Sequence, residues 1–200
     1  MTRAQVFSKR AFDLAGALLG MLVLGLPALL VGLAVAASSR GPVLFTHNRV
    51  GRHGRLFRCV KFRTMRVGAE QLGSVTTADD QRVTPLGRWL RRHKLDEIPQ
   101  LWNVAKGDMS FVGPRPDVQG FADALQGADR VILSVRPGIT GPATLRFRDE
   151  ESLLARQPDP VRYNRDVVFP EKVRLNREYV ERYSLRADLR YILLTVLRKP

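Results

Sequence analysis

Between Leu14 and Ala37 the chain reads LAGALLGMLVLGLPALLVGLAVAA, 24 residues without a formal charge. A helix rises about 1.5 Å per residue, so about 20 apolar residues suffice to cross the hydrocarbon of a bilayer. A cleaved leader would carry a shorter apolar core of about 7 to 15 residues before a small-residue cleavage site, so the sequence predicts a retained membrane segment. Two features count against a simple crossing. Arg3, Lys9 and Arg10 precede the run and Arg40, Arg49, Arg52 and Arg55 follow it, whereas a single span keeps its basic flank on the cytoplasmic side. Pro27, with Gly20 and Gly25 just before it, removes one intrahelical hydrogen bond and clashes with the preceding turn. A helix broken at Gly25-Leu26-Pro27, entering and leaving by one face, satisfies both observations. A kinked helix that spans is the alternative, since transmembrane helices tolerate proline.

The remainder has the length of one domain. Its 33 Lys+Arg against 19 Asp+Glu, a net charge of +14, suit a polyanion: nucleic acid, anionic headgroups or a phosphate-bearing substrate. The single cysteine, Cys59, excludes an internal disulfide framework and a multi-cysteine zinc site, and points to a reducing compartment. His47, His53 and His93 lack metal-ligand spacing, and no phosphate-binding loop of the Walker or dinucleotide type is present, so ATP and NAD chemistry have no support.

Short β-like stretches at Val43–His47 and Leu56–Phe62, around Gly51-Arg52-His53-Gly54, predict a hairpin. After a polar stretch from Gly68 to Arg82, Thr84-Pro85 offers a cap and a first-turn proline for a short basic helix. A second helix is expected from Asp96-Glu97-Ile98-Pro99 to a stop at Gly107, and a third from about Pro170 to Tyr183. Leu185, Leu189, Ile192, Leu193, Val196 and Leu197 recur at helical spacing, with Arg186, Arg190, Arg198 and Lys199 mostly off that stripe. A helix lying at the membrane surface is favoured slightly over one packed in the core.

The densest chemistry is Leu95-Asp96-Glu97-Ile98-Pro99-Gln100-Leu101-Trp102-Asn103. Adjacent carboxylates at a helix start are favoured as anions by the helix dipole, and an ionised Asp can attack phosphorus. Ordinary helix capping explains the same pair. Lys61, Arg63, Arg91, Arg92, Arg115 and Arg136 sit beside turn or cap signals where they can converge on a diphosphate. Arg115 is the most informative, because Pro114 and Pro116 pin the backbone on either side of it.

Together these segments resemble the bacterial sugar transferases, specifically the small monotopic phosphoglycosyltransferases. The resemblance rests on Lys9-Arg10-Ala11-Phe12-Asp13, the proline-interrupted apolar run, Lys61-Phe62-Arg63-Thr64-Met65 and the Asp96-Glu97 segment. It continues through Lys106-Gly107-Asp108-Met109-Ser110, Gly113-Pro114-Arg115-Pro116-Asp117 and Arg136-Pro137-Gly138-Ile139-Thr140-Gly141, in the family's order over most of the chain. It implies transfer of a sugar-1-phosphate from a UDP-sugar to a polyprenyl phosphate such as undecaprenyl phosphate, with Mg2+, in assembly of a glycoconjugate such as an exopolysaccharide. The expected place is the cytoplasmic face of a bacterial inner membrane. Asp96 would be the nucleophile, Glu97 its partner, and both would lie at the metal. Lys61, Arg63, Arg91, Arg115, Pro116 and Arg136 would contact substrate. The family often has Ser before the membrane proline, where this chain has Leu26, and an Asp near the position of Asn176. Asp188 is equally explained by a salt bridge.

The fold expected is α/β, mostly helical with short strands. Residues 1–40 would form a re-entrant membrane helix, and residues 41–200 a cytoplasmic catalytic domain ending in an amphipathic helix. Partners are membrane lipids, the UDP-sugar and the polyprenyl phosphate, with no nucleic acid and with an oligomer left open. The rival readings are a membrane-tethered nucleic-acid-binding module, against which the scarcity of aromatics in the basic stretches counts, and a magnesium-dependent lipid phosphatase.

Overall fold

A computed structural model describes residues 1–69 and 75–197. Part of the polar stretch before Arg82, and Arg198 and Lys199 after the last helix, lie outside the described residues. Helix α1 (Arg3–Ser38) opens with a capping box between Thr2 and Gln5 and runs through Pro27 without interruption. The sequence predicts a break at that point. Proline forfeits only its own N–H bond, and the surrounding residues keep the helical pattern, as they do in kinked membrane helices.

Strands β1 (Leu44–Val50) and β2 (Leu56–Phe62) form the expected antiparallel hairpin, with Leu44 opposite Phe62 and His47 opposite Cys59. The tight Arg52–Gly54 turn between them holds His53 at φ 59. Helix α2 (Pro85–Arg92) is capped as its sequence predicts, the Thr84 side chain accepting from the Gly87 amide. Gly87 is required there, since a Cβ would strike the Thr64 carbonyl.

The expected helix from Asp96 is instead a 3-10 turn, Leu95–Glu97, followed by α3 (Gln100–Lys106), which ends at Gly107 with φ 95. Strands β3 (Ser110–Val112) and β4 (Gly138–Thr140) pair in parallel, Ser110 beside Gly138 and Val112 beside Thr140. Short helices α4 (Pro142–Arg146), α5 (Glu150–Ala155) and α6 (Pro160–Tyr163) lead through a π-helical turn to α7 (Phe169–Glu181) and α8 (Leu185–Leu197). The fold is thus mostly helical with short strands.

Helix α1 is bolted to this domain by polar groups that its apolar run cannot supply. Lys9 Nζ lies 2.6 Å from Asp188 Oδ2, which settles Asp188 as a salt-bridge partner. Tyr179 donates to the other Asp188 oxygen at 2.7 Å. Arg10 donates to the carbonyls of Val104 and Ala105, closing the C-terminal turn of α3. Asp13 accepts from the Ser110 hydroxyl and the Phe111 amide. Farther along, Gly20 lies against Leu101 and Gly32 against Val43 and Phe62, and Val35 joins Phe62 and Leu90 in a buried cluster. The opposite side of α1 is bare: Leu18, Leu22, Leu26, Leu29 and Leu33 are exposed, Leu22 by 81%. Helix α8 exposes Leu189, Leu193, Val196 and Leu197, while it buries Asp188 and packs Tyr191 and Ile192 against the core.

Candidate active site

The Leu95–Glu97 turn follows Lys94, whose left-handed backbone (φ 57) reverses the chain and drives both carboxyl groups inward. Asp96 is 5% exposed and Glu97 7%. Strand β2 brings Lys61 to this turn, and the Pro114–Pro116 corner after β3 brings Arg115. Lys61 Nζ and Arg115 Nη2 both donate to Glu97 Oε1, at 2.8 and 2.7 Å. Asp96 Oδ1 is buried and has no hydrogen-bond partner.

The two neighbours consequently differ in proton affinity. Burial pushes the Asp96 carboxyl above the usual carboxylate range, and the Glu97 charge adds to this against Lys61, Arg91 and Lys94. Burial also acts on Glu97, but Arg115, Lys61 and Lys94 outweigh it and hold that carboxyl well below its ordinary value. A carboxylate receiving charge-assisted hydrogen bonds stays ionised, whereas one desolvated without partners holds its proton more tightly. The helix dipole invoked from sequence contributes little, because α3 begins four residues after Asp96.

Arg91 completes the near shell, its Nε donating to Thr64 Oγ1 at 3.0 Å and its Nη1 reaching Glu151 on α5 at 2.9 Å. Pro116 contributes backbone: its carbonyl accepts from Arg49 Nη1 at 3.2 Å. Two residues expected to contact substrate have guanidiniums bonded to groups other than Asp96 and Glu97. Arg63 is buried with its guanidinium spent on the Ser39 and Arg40 carbonyls and the Ser39 hydroxyl, fastening the exit of α1. Arg136 bonds the Gly107 carbonyl, beyond the far end of α3.

Sequence reasoning missed His47, Arg49 and Asp117. His47 and Arg49 sit two residues apart on one face of β1, the face that β2 shares through Cys59 and Lys61. Arg49 Nε donates to His47 Nε2 at 2.8 Å. Burial together with Arg49, Lys61 and Arg115 pushes the imidazole down to about 3, so it stays a neutral acceptor. Asp117 is pushed up to about 6 by burial, against Lys172, Arg49 and Arg115. The period-two alternation of a strand was the available signal.

Asp96 and Glu97 are oxygen donors of the kind that suit a magnesium ion. Mg2+ is usually held by one or two carboxylates, several waters and phosphate oxygens. Asp96 Oδ1 is an orphaned buried oxygen, and Glu97 has its cations gathered on Oε1 alone. Among the described residues no group of three or more His, Cys, Asp or Glu is placed to hold a metal by protein ligands only.

Set beside known proteins, residues 4–199 match the family described as bacterial sugar transferase. The chain is 38% identical over 202 residues to an undecaprenyl-phosphate glucose phosphotransferase of Komagataeibacter xylinus, covering 97% of this chain and 36% of that protein. It is 35% identical over 205 residues to a galactosyl transferase of Streptococcus agalactiae, covering 96% and 42%. A similar match, 36% identical, covers 94% of this chain and 84% of an exopolysaccharide production protein of Sinorhizobium fredii. The chain thus spans less than half the length of the first two relatives and most of the third.

Proposed function

The chain belongs to the bacterial sugar transferase family, and from that premise we propose that it transfers a sugar-1-phosphate from a UDP-sugar to a polyprenyl phosphate in two steps. The observation that carries this reading is Asp96 Oδ1, buried and unpartnered beside a glutamate fixed by two cations. A carboxylate oxygen without protein partners keeps its bonding capacity for a substrate or ion that reaches it. In the first step an Asp96 oxygen bonds to the sugar-bearing phosphorus, the phosphoanhydride bond breaks, and UMP leaves with the bond's electron pair. In the second, a phosphate oxygen of the lipid attacks that phosphorus and the acyl phosphate bond breaks, freeing Asp96 and yielding the lipid diphosphate sugar.

Phosphoryl transfer needs positioning and charge stabilisation more than covalent machinery. Arg115 and Lys61 present fixed positive charge to the transferring group while keeping Glu97 ionised, and Arg91 offers a third cation close by. Magnesium bound by Asp96 and Glu97 would neutralise phosphate charge and favour the ionised nucleophile. Arg49, held by neutral His47, secures Pro116 and so sets the direction of Arg115.

The placement of α1 supports a monotopic seat on one face of the membrane, which we take to be the cytoplasmic one. Contacts to the domain recur from Lys9 to Val35 along one side of the helix, about 39 Å if straight, which exceeds the roughly 30 Å hydrocarbon core. A helix standing across the bilayer would draw the domain in with it. A helix lying within one leaflet leaves the domain outside and its exposed leucines in lipid.

The chemical test is UMP release without lipid acceptor. Wild-type protein is expected to release at most about one UMP per site and to gain the mass of a sugar-phosphate, and Asp96→Asn to lose both. UMP that appears only after acceptor is added would require direct attack by the lipid, and release of inorganic phosphate would favour a phosphatase.

A further inference from the structure

One other place in the molecule gathers several cations around a single carboxylate, Asp13. A cavity of about 250 Å³ opens beside the first turns of α1, lined by Lys9, Arg52, His53, Ser134 and Arg136 among others. A shallower hollow continues it past His53 and Ser134 to Arg130. Arg52 spends only Nε, on the Ser134 carbonyl at 2.8 Å, and Arg136 only Nε, on the Gly107 carbonyl at 2.7 Å. Arg130 spends only Nη1, on the Leu125 carbonyl at 3.2 Å. Among the described residues none of the three makes an ion pair, and Asp13, the acid in the cavity wall, is already taken by Ser110 and Phe111. Burial, Arg10 and Arg52 disfavour charge on Arg136, against the opposing pull of Asp13. Guanidinium forks with free terminal nitrogens match phosphate oxygens.

The position says which phosphate. Lys9 lines the cavity and stands about one helical turn before Leu14, where the apolar run begins. With α1 in lipid, that is the depth of the headgroups. We propose that this cavity binds the phosphate of an anionic phospholipid, clamped by Arg52, Arg130 and Arg136. The inference rests on the proposed seat of α1 in the membrane and is independent of the chemistry at Asp96. An anionic lipid held there would fix the N-terminal end of α1 at the membrane surface through a contact separate from its leucine face.

The test is native mass spectrometry of the full chain released from neutral detergent containing equal amounts of phosphatidylglycerol and phosphatidylcholine. Wild-type protein is expected to retain one phosphatidylglycerol with roughly tenfold preference, since each cation near a lipid surface counts for several-fold. Arg52→Gln/Arg130→Gln, in which glutamine can still donate to the Ser134 carbonyl, should lose the preference. Arg52→Lys/Arg130→Lys should restore it, and Arg88→Gln/Arg92→Gln, which removes exposed charges of α2, should keep it. An unchanged preference in the glutamine variant overturns the site. Displacement of the lipid by inorganic phosphate makes it a site for free anions and overturns the lipid assignment. Retention of phosphatidylcholine without preference overturns the site but leaves the seat of α1 standing, whereas retention of no lipid overturns that seat as well.

Discussion

Asp96 and Glu97 are neighbours in sequence with opposite electrostatic fates, and this gives them opposite signatures in stability. The Asp96 carboxyl is raised in the folded state by burial, so its contribution is most favourable below the unfolded pKa and is lost as pH rises through the folded one. Asp96→Asn should therefore melt higher than wild type at neutral pH in the absence of ligand, while losing turnover. Glu97 is depressed by Arg115, Lys61 and Lys94 against the effect of burial, so its contribution is present above the unfolded pKa and lost as pH falls through the folded one. Glu97→Gln should melt lower at neutral pH, by about 3 kcal/mol if it behaves as a broken buried pair, and the deficit should shrink in acid. Thermal melts of both variants from pH 3 to pH 8 check the two signs together; parallel shifts would contradict the assignment. The carboxylate pair and Arg115 were legible because prolines and adjacent acids leave a mark in sequence. Arg63 and Arg136 were not separable from them, because a cation's partner is fixed by tertiary contacts: the backbone of Ser39 and Arg40 in one case and of Gly107 in the other.

Among the elements, the hairpin, the Thr84 cap and α7 followed from local patterns, since turn residues and caps act within a few positions. The parallel pairing of β3 and β4 joins Ser110 to Gly138 across 28 residues, and nothing local announces it. The helix expected from Asp96 fails for a local reason, because Pro99 holds the chain in a separate turn before α3 begins at Gln100. The Lys9-Arg10-Ala11-Phe12-Asp13 segment gains a structural meaning: its three charged residues seat α1 on α8, α3 and β3. The Lys9–Asp188 pair at 2.6 Å is nearly inaccessible to water. Removing one partner leaves the other buried and unpaired, at about 3 to 5 kcal/mol. Lys9→Met alone should destabilise by that order, and Lys9→Met/Asp188→Leu should recover much of it. Chemical denaturation in detergent measures both; equal losses in the single and double variants would mean that the pair does not carry the docking of α1. Gly87→Ala should cost on the order of 1 to 3 kcal/mol, since the Cβ meets the Thr64 backbone rather than a movable side chain.

For the whole molecule, α1 decides how the protein would sit on a membrane. Gly20, six residues into the apolar run, lies against Leu101 of α3, so α3 accompanies the helix to the depth at which that run enters lipid. Trp102 follows Leu101 and is 60% exposed. Trp89 is 51% exposed on α2, whose Leu90 packs with Val35 near the C-terminal end of α1. Tryptophan favours the membrane–water boundary, where its ring meets apolar chains and its N–H stays wet. Two tryptophans, one beside the middle of α1 at Gly20 and one near its C-terminal end at Val35, make topology measurable, because they are the chain's whole complement. If α1 lies in one leaflet, both are at the same boundary, and brominated lipid should quench both comparably in the single-tryptophan variants Trp89→Phe and Trp102→Phe. In a helix standing across the bilayer the levels of Gly20 and Val35 differ by about 22 Å along the membrane normal, so the two tryptophans would lie at different depths and quench unequally. Cysteines placed at Arg3 and Arg40 give the same decision by chemistry, since native Cys59 is 1% exposed and does not compete for reagent. Both positions should react with an impermeant maleimide from the cytoplasmic side. Labelling from opposite sides, or unequal quenching of the two tryptophans, would show that α1 spans and that the domain's contacts along it are rearranged in the membrane.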